Sequence, residues 1–396
     1  MKAPDKNLHA EGAPLRSGTI LLMATAAGIT VANIYYNQPI LKEMAFSLHA
    51  SDAEIGKVSM FAQIGYGLGM FFLIPLGDMV NRKKLILLLL AGLFITLIMM
   101  VFSKGVLLVW ILSLLIGIFA APAQIILPMA ASLDKVNRGK TVGIVFSGIL
   151  VGILGSRVIS GFITDWFGWR TVYGFSAVMV LAIAILLKLY LPEVKHKFTG
   201  TYAGLLKSTL QLVKQHKVLR QSALLGAFTF GIFCSFWTTV TFYLSGPAFG
   251  FQADTIGLFG IVAIGGALVA PYFGKLADKG NTRRSLLITV GMIIASIVLL
   301  KVLPFSVIAM VLAIFVLDIG VQATQITNFA RIYALDENSH SRLNTIYMTT
   351  YFIGGGIGTF FGLLCWKNGG WELATWQMLL WSGIALCLVF FGRSKA

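Results

Sequence analysis

The sequence predicts an all-α membrane protein, with twelve transmembrane helices in two pseudo-symmetric six-helix halves. Three observations carry that prediction. Of 396 residues, 57% are hydrophobic and 12% charged, with mean hydropathy +0.86; soluble domains carry about twice that charge fraction. Apolar runs of roughly twenty residues recur from end to end, each long enough to cross about 30 Å of hydrocarbon and too long for barrel strands. Finally, marks of the first half return in the second at offsets of 200 to 202 residues: Asp78 with Asp278, Ile55-Gly56 with Ile256-Gly257, Gly168-Trp169 with Gly370-Trp371.

The predicted spans, in order, are 18–40, 54–76, 84–103, 106–130, 140–163, 171–190, 218–243, 254–274, 284–303, 305–329, 342–365 and 371–392. The first ends in "NIYYNQPI", where Asn33, Tyr35, Tyr36, Asn37 and Gln38 interrupt a greasy segment. On a 3.6-residue period Asn33, Tyr36, Asn37 and Ile40 share a face, with Pro39 ending the helix. An interfacial aromatic belt accounts for the tyrosines; a water- and substrate-facing wall accounts for the amides as well. Span four carries Gln124 between Pro122 and Pro128, and span five carries Arg157. After Tyr190 comes the one long connection, basic and partly amphipathic. It divides the chain into an N-terminal half (1–190), a cytoplasmic linker (191–217) and a C-terminal half (218–396). Span seven brings Trp237, Thr238, Thr239, Thr241 and Tyr243; span ten brings Asp318, Gln322, Gln325, Thr327 and Asn328. The runs "GYGLG" and "GGGIG" lie inside apolar spans, without the strand a nucleotide loop requires; there they let helices approach closely.

A net charge of +16 tempts toward nucleic acid, but its distribution argues for topology. With loops assigned alternately, 24 lysines and arginines fall on one side and 6 on the other, leaving Arg157 within a span. Positive residues stay cytoplasmic, which puts both termini inside a cell (inner) membrane. Cys234, Cys365 and Cys387 all fall in spans without CxxC spacing, which argues against a disulfide framework or a metal site. The polar N-terminus runs into a full-length span without a cleavage signature, so no removable signal peptide is expected.

Span two ends in "IPLGDMVNRKKLIL" and span eight in "FGKLADKGNTRRSLL". With the repeat, these loops give a chain that resembles the major facilitator superfamily over essentially its whole length, whose signature reads G-x-L-x-D-R-x-G-R-R. Gly274, Leu276 and Asp278 match its start; the first copy keeps Asp78, Arg82 and Lys83 but has Ile74, Met79 and Asn81 elsewhere. The resemblance implies a conformational latch. Asp78 would face the start of span eleven near Arg342, and Asp278 the start of span five near Gly139-Lys140, where helix N-termini favour a carboxylate. Arg82 to Lys84 and Arg283/Arg284 serve either that latch or simple positive-inside anchoring. Within the superfamily, "NIYYNQPIL", "LVGILGSRVISGFITDWFGWR" and "LDIGVQATQITNFARIYAL" resemble bacterial drug/proton antiporters and sugar-efflux exporters. Ser113 stands where many drug antiporters carry a span-four arginine, and "GILVGILG" lacks their span-five proline.

A charge at mid-bilayer costs at least about 2.5–3.5 kcal/mol, so it needs a reason. Only Arg157 and Asp318 lie well inside spans. Asp318 is roughly 20 Å from either surface at 1.5 Å per residue, the depth at which alternating-access sites lie. Arg157 sits in the outer half, free to reach inward or to snorkel outward. Asp318 is the expected proton-coupling group, with Arg157 its partner or a substrate contact; a permanent structural ion pair is the competing reading. All five histidines fall in loops or tails, so an intramembrane histidine relay is not expected. By the resemblance, spans one, four, seven and ten line the cavity, which makes Asn33, Tyr35, Tyr36, Asn37, Gln38, Gln124, Trp237, Gln322, Gln325 and Asn328 substrate-binding candidates; interhelical hydrogen bonding uses the same residue types.

The sequence therefore reads as a secondary transporter and not an enzyme, for no Walker A loop or catalytic triad is present. It is expected to act as a monomer without cofactor, metal or nucleic acid. Its partners are a small-molecule substrate, protons and the lipid bilayer, and its action is proton-coupled efflux by alternating access. A sugar or organic-acid uniporter or symporter is the alternative within transport. A non-transporting sensor or scaffold is the alternative outside it, but a sensor more often appends a soluble domain.

Overall fold

The computed structural model describes residues 15–134, 136–193, 200–262, 282–336 and 339–392, excluding the side chain of Asp78. Among these residues every regular element is a helix. In chain order they are α1 (Ser17–Ala32), α2 (Leu41–Ser47), α3 (Asp52–Leu73), α4 (Leu76–Met79), α5 (Arg82–Val101), α6 (Val106–Phe119), α7 (Pro122–Leu133), α8 (Arg138–Phe167) and α9 (Trp169–Tyr190). There follow α10 (Tyr202–Gln215), α11 (Lys217–Ser245), α12 (Ala253–Val262), α13 (Thr282–Val302), α14 (Val307–Tyr333) and α15 (His340–Phe391). Eight segments among the described residues are long and apolar enough to cross a membrane, counting α6 with α7 as one.

Local chemistry explains the ends and breaks. Ser51 and Glu54 form a reciprocal capping box at the start of α3, satisfying two donors that a helix N-terminus leaves open. Ser306 and Thr201 accept backbone N–H groups at the starts of α14 and α10. The fourth predicted span is split at Ala120-Ala121, because Pro122 opens a new helix with no N–H to give the old one. The 52-residue α15 is likewise two helices: Gly369 and Gly370 leave helical geometry, Gly370 at φ +59°, where only glycine sits without strain. The second span-length repeat unit of the C-terminal half, predicted at 254–274, is described only as α12, since 263–281 lie outside the described residues.

The first span needs a correction. It was expected to run as one helix to residue 40, but α1 ends at Ala32 and is followed by turns and a 3₁₀ turn over Gln38–Ile40. The amides compete for the backbone: Asn33 Nδ2 donates to Ile29 O at 2.8 Å and Asn37 Nδ2 to Ile34 O at 2.9 Å. Short polar side chains that bond nearby carbonyls unwind helices in this way, and Pro39 removes a further donor. Asn33 and Tyr36 still turn together toward Ser176, while Asn37 meets Ser59.

Glycines set the closest helix crossings. A side chain at Gly148 or Gly152 of α8 would collide with the backbone of Ala24 or Gly28 of α1. Gly65 and Gly69 of α3 lie against α6 backbone at Leu114 and Ile118, and Gly354 and Gly358 of α15 against Ala227 and Gly231 of α11. Both glycine runs thus have the packing role expected of them. Gly56, Gly67 and Gly356 carry α3 along α15, joining the N-terminal portion of the chain to the C-terminal one.

At the bundle end away from the start of α1, the two portions are drawn together. Trp366 Nε1 donates to Asp52 Oδ2 at 3.3 Å, Asp254 N to Asp165 Oδ2 at 3.2 Å, and Gly161 rests on the backbone of Ala253. At the other end α10 docks through Tyr202, whose hydroxyl donates to Phe72 O at 2.7 Å. The most enclosed helix is α11, with 83% of its apolar window buried, so it forms one wall of whatever lies at the centre.

Candidate functional site

Arg157 is the organising residue. It stands on α8 and is only 1% exposed, so it reaches inward and does not snorkel. Its Nε donates to Gln38 Oε1 at 2.7 Å, which ties α8 to the 3₁₀ turn that follows α1. Aromatic rings from the other portion of the chain enclose the guanidinium: its carbon lies 4.0 Å from the Trp237 ring centroid and 5.6 Å from that of Phe233, with Tyr35 at 5.5 Å. Desolvated contacts of this kind contribute about 2 kcal/mol or more each, against the several kcal/mol that a buried guanidinium loses in hydration. Among the described residues, Nη1 and Nη2 have no hydrogen-bond partner.

Asp318, on α14, is equally buried, and its Oδ2 also lacks a partner. It lies within Coulombic range of Arg157 and of Tyr351 on α15, yet no nitrogen of Arg157 is within 4.0 Å of a carboxylate oxygen among the described residues. Opposite charges thus stand buried on two portions of the chain, within Coulombic range of each other, without closing into an ion pair. Around them stand Cys234, Phe230 and Tyr351, the last two stacked at 4.0 Å. Thr241 Oγ1 donates to Gln38 O at 2.9 Å, so α11 braces the same turn that holds Arg157.

The remaining candidates divide. Tyr35, Gln38 and Trp237 join the Arg157 cluster. Asn33 and Asn37 are spent within the N-terminal portion, accepting from Ser176 Oγ at 2.7 Å and Ser59 Oγ at 2.5 Å, and Tyr36 lies beside Ser176. Gln124 Nε2 donates to Tyr66 OH at 3.2 Å, and Tyr66 meets Phe352 edge-on at 4.5 Å, which places Gln124 at the cluster's margin. On α14, Gln322 is half-buried, Gln325 contacts Met348 Sδ at 3.6 Å, and Asn328 donates to Tyr347 OH at 3.4 Å. Tyr351, beside Asp318, and the buried amide of Gln63 on α3 escaped the sequence reading. Gln63 of α3 is 1% exposed with both side-chain polar atoms unpartnered, and its amide within an apolar run was the same signal that marked Gln124. Tyr351 carried no such signal, since tyrosine is ordinary in a span.

Of the latch residues, Asp278 and the side chain of Asp78 lie outside the described residues. Arg82 Nε donates to Gly77 O at 3.0 Å, Lys83 is buried, Arg283 donates to Phe390 O at 3.1 Å, and Arg342 to Ser339 Oγ at 2.7 Å. A cavity of about 320 Å³ opens at the closed end of the bundle between Glu43, Thr164, Trp169 and Arg170. Burial pushes the Glu43 carboxyl above its ordinary value, and the nearby Asp165 charge adds to this.

Gln38→Leu removes the acceptor for Arg157 Nε and leaves the whole guanidinium without a hydrogen bond. The expected cost is about 1.5–3 kcal/mol, the worth of a hydrogen bond to a charged group, read as a lower melting temperature in detergent. Gln38→Glu, which keeps an acceptor there, is expected to melt at or above the wild-type temperature.

The pattern that defines the Major Facilitator Superfamily matches residues 23–359. The chain is 38% identical over 364 residues to the uncharacterized transporter YgaY of Escherichia coli O157:H7, covering 90% of this chain and 91% of that one. It is 23% identical over 329 residues to a probable sugar efflux transporter of Helicobacter pylori, covering 82% of each. In fold it resembles a bacterial homolog of the human lysosomal transporter Spinster in its inward-facing, occupied conformation, with TM-score 0.76 at 15% identity over 97% of this chain and 100% of that one.

Proposed function

Because the chain belongs to the Major Facilitator Superfamily, we propose that it is a proton-coupled exporter of a small organic molecule, working by alternating access. Twelve spans in two six-helix halves (1–190 and 218–396), joined by a cytoplasmic linker, rock about a central site in the inner membrane, with both termini cytoplasmic and the chain acting as a monomer. The observation that carries the reading is the buried, unclosed pair of Asp318 and Arg157. Each is costly in a membrane, and a carboxylate left without its counter-ion is a group whose protonation changes which arrangement is favoured. Contacts such as Trp366 to Asp52 hold one end of the bundle shut, in keeping with an inward-facing state when that end is read as external. The latch residues Asp78, Arg82, Lys83, Asp278, Arg283 and Arg342 close the other end in turn. Efflux is supported by relatives named as sugar efflux transporters and by the likeness to drug/proton antiporters.

The test is transport in proteoliposomes under an imposed pH gradient. Substrate is expected to move against its own gradient, opposite to the proton, and to stop doing so when a protonophore collapses the gradient. Transport at a rate indifferent to the gradient overturns the proposal.

A further inference from the structure

The central site contains one fixed positive group and one fixed negative group, buried within Coulombic range of each other, and each keeps bonding capacity unused among the described residues. On α8, Arg157 has its Nε committed to Gln38, while Nη1 and Nη2, the two nitrogens that grip a carboxylate in bidentate fashion, are unpartnered. The ring of Trp237 at 4.0 Å holds the guanidinium plane, so the fork is pre-oriented. Gln38 Nε2 and Trp237 Nε1, on the two side chains that touch Arg157, also lack partners among the described residues, which makes this wall rich in donors. On α14, Asp318 Oδ2 and Asn328 Oδ1 are buried acceptors without partners. The two charges are more than 4.0 Å apart, too far to satisfy each other. Unpaired buried charges cost several kcal/mol apiece, and a molecule that meets both at once removes both costs.

We propose that the substrate is a zwitterion, an amino-acid-like molecule whose carboxylate sits on the Arg157 fork and whose ammonium sits on Asp318, with its body among Phe230, Phe233 and Tyr351. The inference rests on the proposed role of Asp318 in proton coupling and deepens it. A simple organic anion meets Arg157 but leaves Asp318 stranded; a simple cation leaves Arg157 stranded; a neutral sugar answers neither charge. The zwitterion keeps the region neutral. It also requires the ionised form of Asp318, so ammonium and proton compete for one oxygen. That competition is what exchange demands: one neutral zwitterion leaves for one proton entering. The titratable and charged groups that bear on Asp318 are Arg157 of α8 and Tyr351 of α15, and those that bear on Arg157 are Tyr35 and Cys234 besides Asp318.

Thermal stabilisation of the purified full chain in detergent, at neutral pH, tests this with matched sets of probes. L-phenylalanine is compared with L-phenylalaninamide, 3-phenylpropanoate and phenethylamine. L-leucine is compared with L-leucinamide and 4-methylpentanoate, and 4-aminobutyrate with butyrate and butylamine. In at least one set the zwitterion is expected to bind at least about tenfold more tightly than every singly charged relative. Arg157→Gln is expected to bind that zwitterion no better than its amide or amine, and Asp318→Asn no better than the acid lacking the ammonium. Arg157→Lys, which keeps the charge but not the fork, is expected to lose about tenfold in affinity and serves if Arg157→Gln does not fold. Binding by no zwitterion, equal binding by a singly charged relative, or preferences that survive both substitutions overturns the proposal. No gradient enters this measurement, so the two readings fail separately. Zwitterion binding without gradient-driven transport sinks proton coupling alone, and gradient-driven transport of singly charged or neutral molecules alone sinks the zwitterion.

Discussion

Asp318→Asn loses all accumulation driven by a pH gradient. Asparagine matches aspartate in shape but takes no proton, so the variant is locked in one charge state. One pH unit of gradient is worth about 1.4 kcal/mol per proton, or tenfold accumulation in the wild type; the variant is expected to show none. Its stability moves the other way. The substitution removes the desolvation cost of a buried carboxylate whose Oδ2 has no partner among the described residues, and beyond ion-pair distance that cost outweighs the attraction to Arg157 lost with it. A melting temperature at or above that of the wild type, together with lost accumulation, separates coupling from folding. Full gradient-driven accumulation by the variant would move the proton site elsewhere.

Gly152→Leu prevents α1 and α8 from packing. A Cβ at Gly152 runs into the backbone of Gly28, and the neighbouring turn at Gly148 is held equally close by the backbone of Ala24. Backbone cannot rotate out of the way as a side chain can, so the helices must separate. Overpacking a core costs about 1–3 kcal/mol where side chains yield, and a value at or above the top of that range is expected here. The damage travels, because Arg157 lies on the same helix as Gly152 and is tied to Gln38 just beyond α1. Gly155→Ala is the matched comparison: nothing lies within 4 Å of a Cβ there, and alanine favours a helix by up to about 1 kcal/mol over glycine. Melting curves of both variants in detergent are expected to diverge in sign.

The helical fold and most span positions were legible because apolar length, capping residues and glycine breaks are local signals. Arg157 and Asp318 stood out for the same reason: ionised groups are rare in spans and cannot hide in a hydropathy pattern. Local signals misled at "NIYYNQPI". Periodicity extended a helix through Asn37, whereas Asn33 and Asn37 turn back on the carbonyls of Ile29 and Ile34. A sequence shows that an amide is present but not which carbonyl it reaches. Two of the five polar residues there, Tyr35 and Gln38, join the site through Arg157; Asn33 and Asn37 bind the helices around it.

The sequence by itself determined that this chain is a helical membrane protein with a repeat, a charge bias and two costly intramembrane charges. Those properties depend on composition, spacing and the fixed thickness of a bilayer, none of which requires knowing where a side chain points. Only the tertiary structure decided that Arg157 turns inward under Trp237, that Gln38 takes its Nε, and that Asp318 stops short of pairing with it. These are relations across eighty residues of chain or more, set by how close glycines let the helices come. Distance of that kind is a property of packing, and packing is where the unpaired fork and carboxylate acquire a substrate's outline.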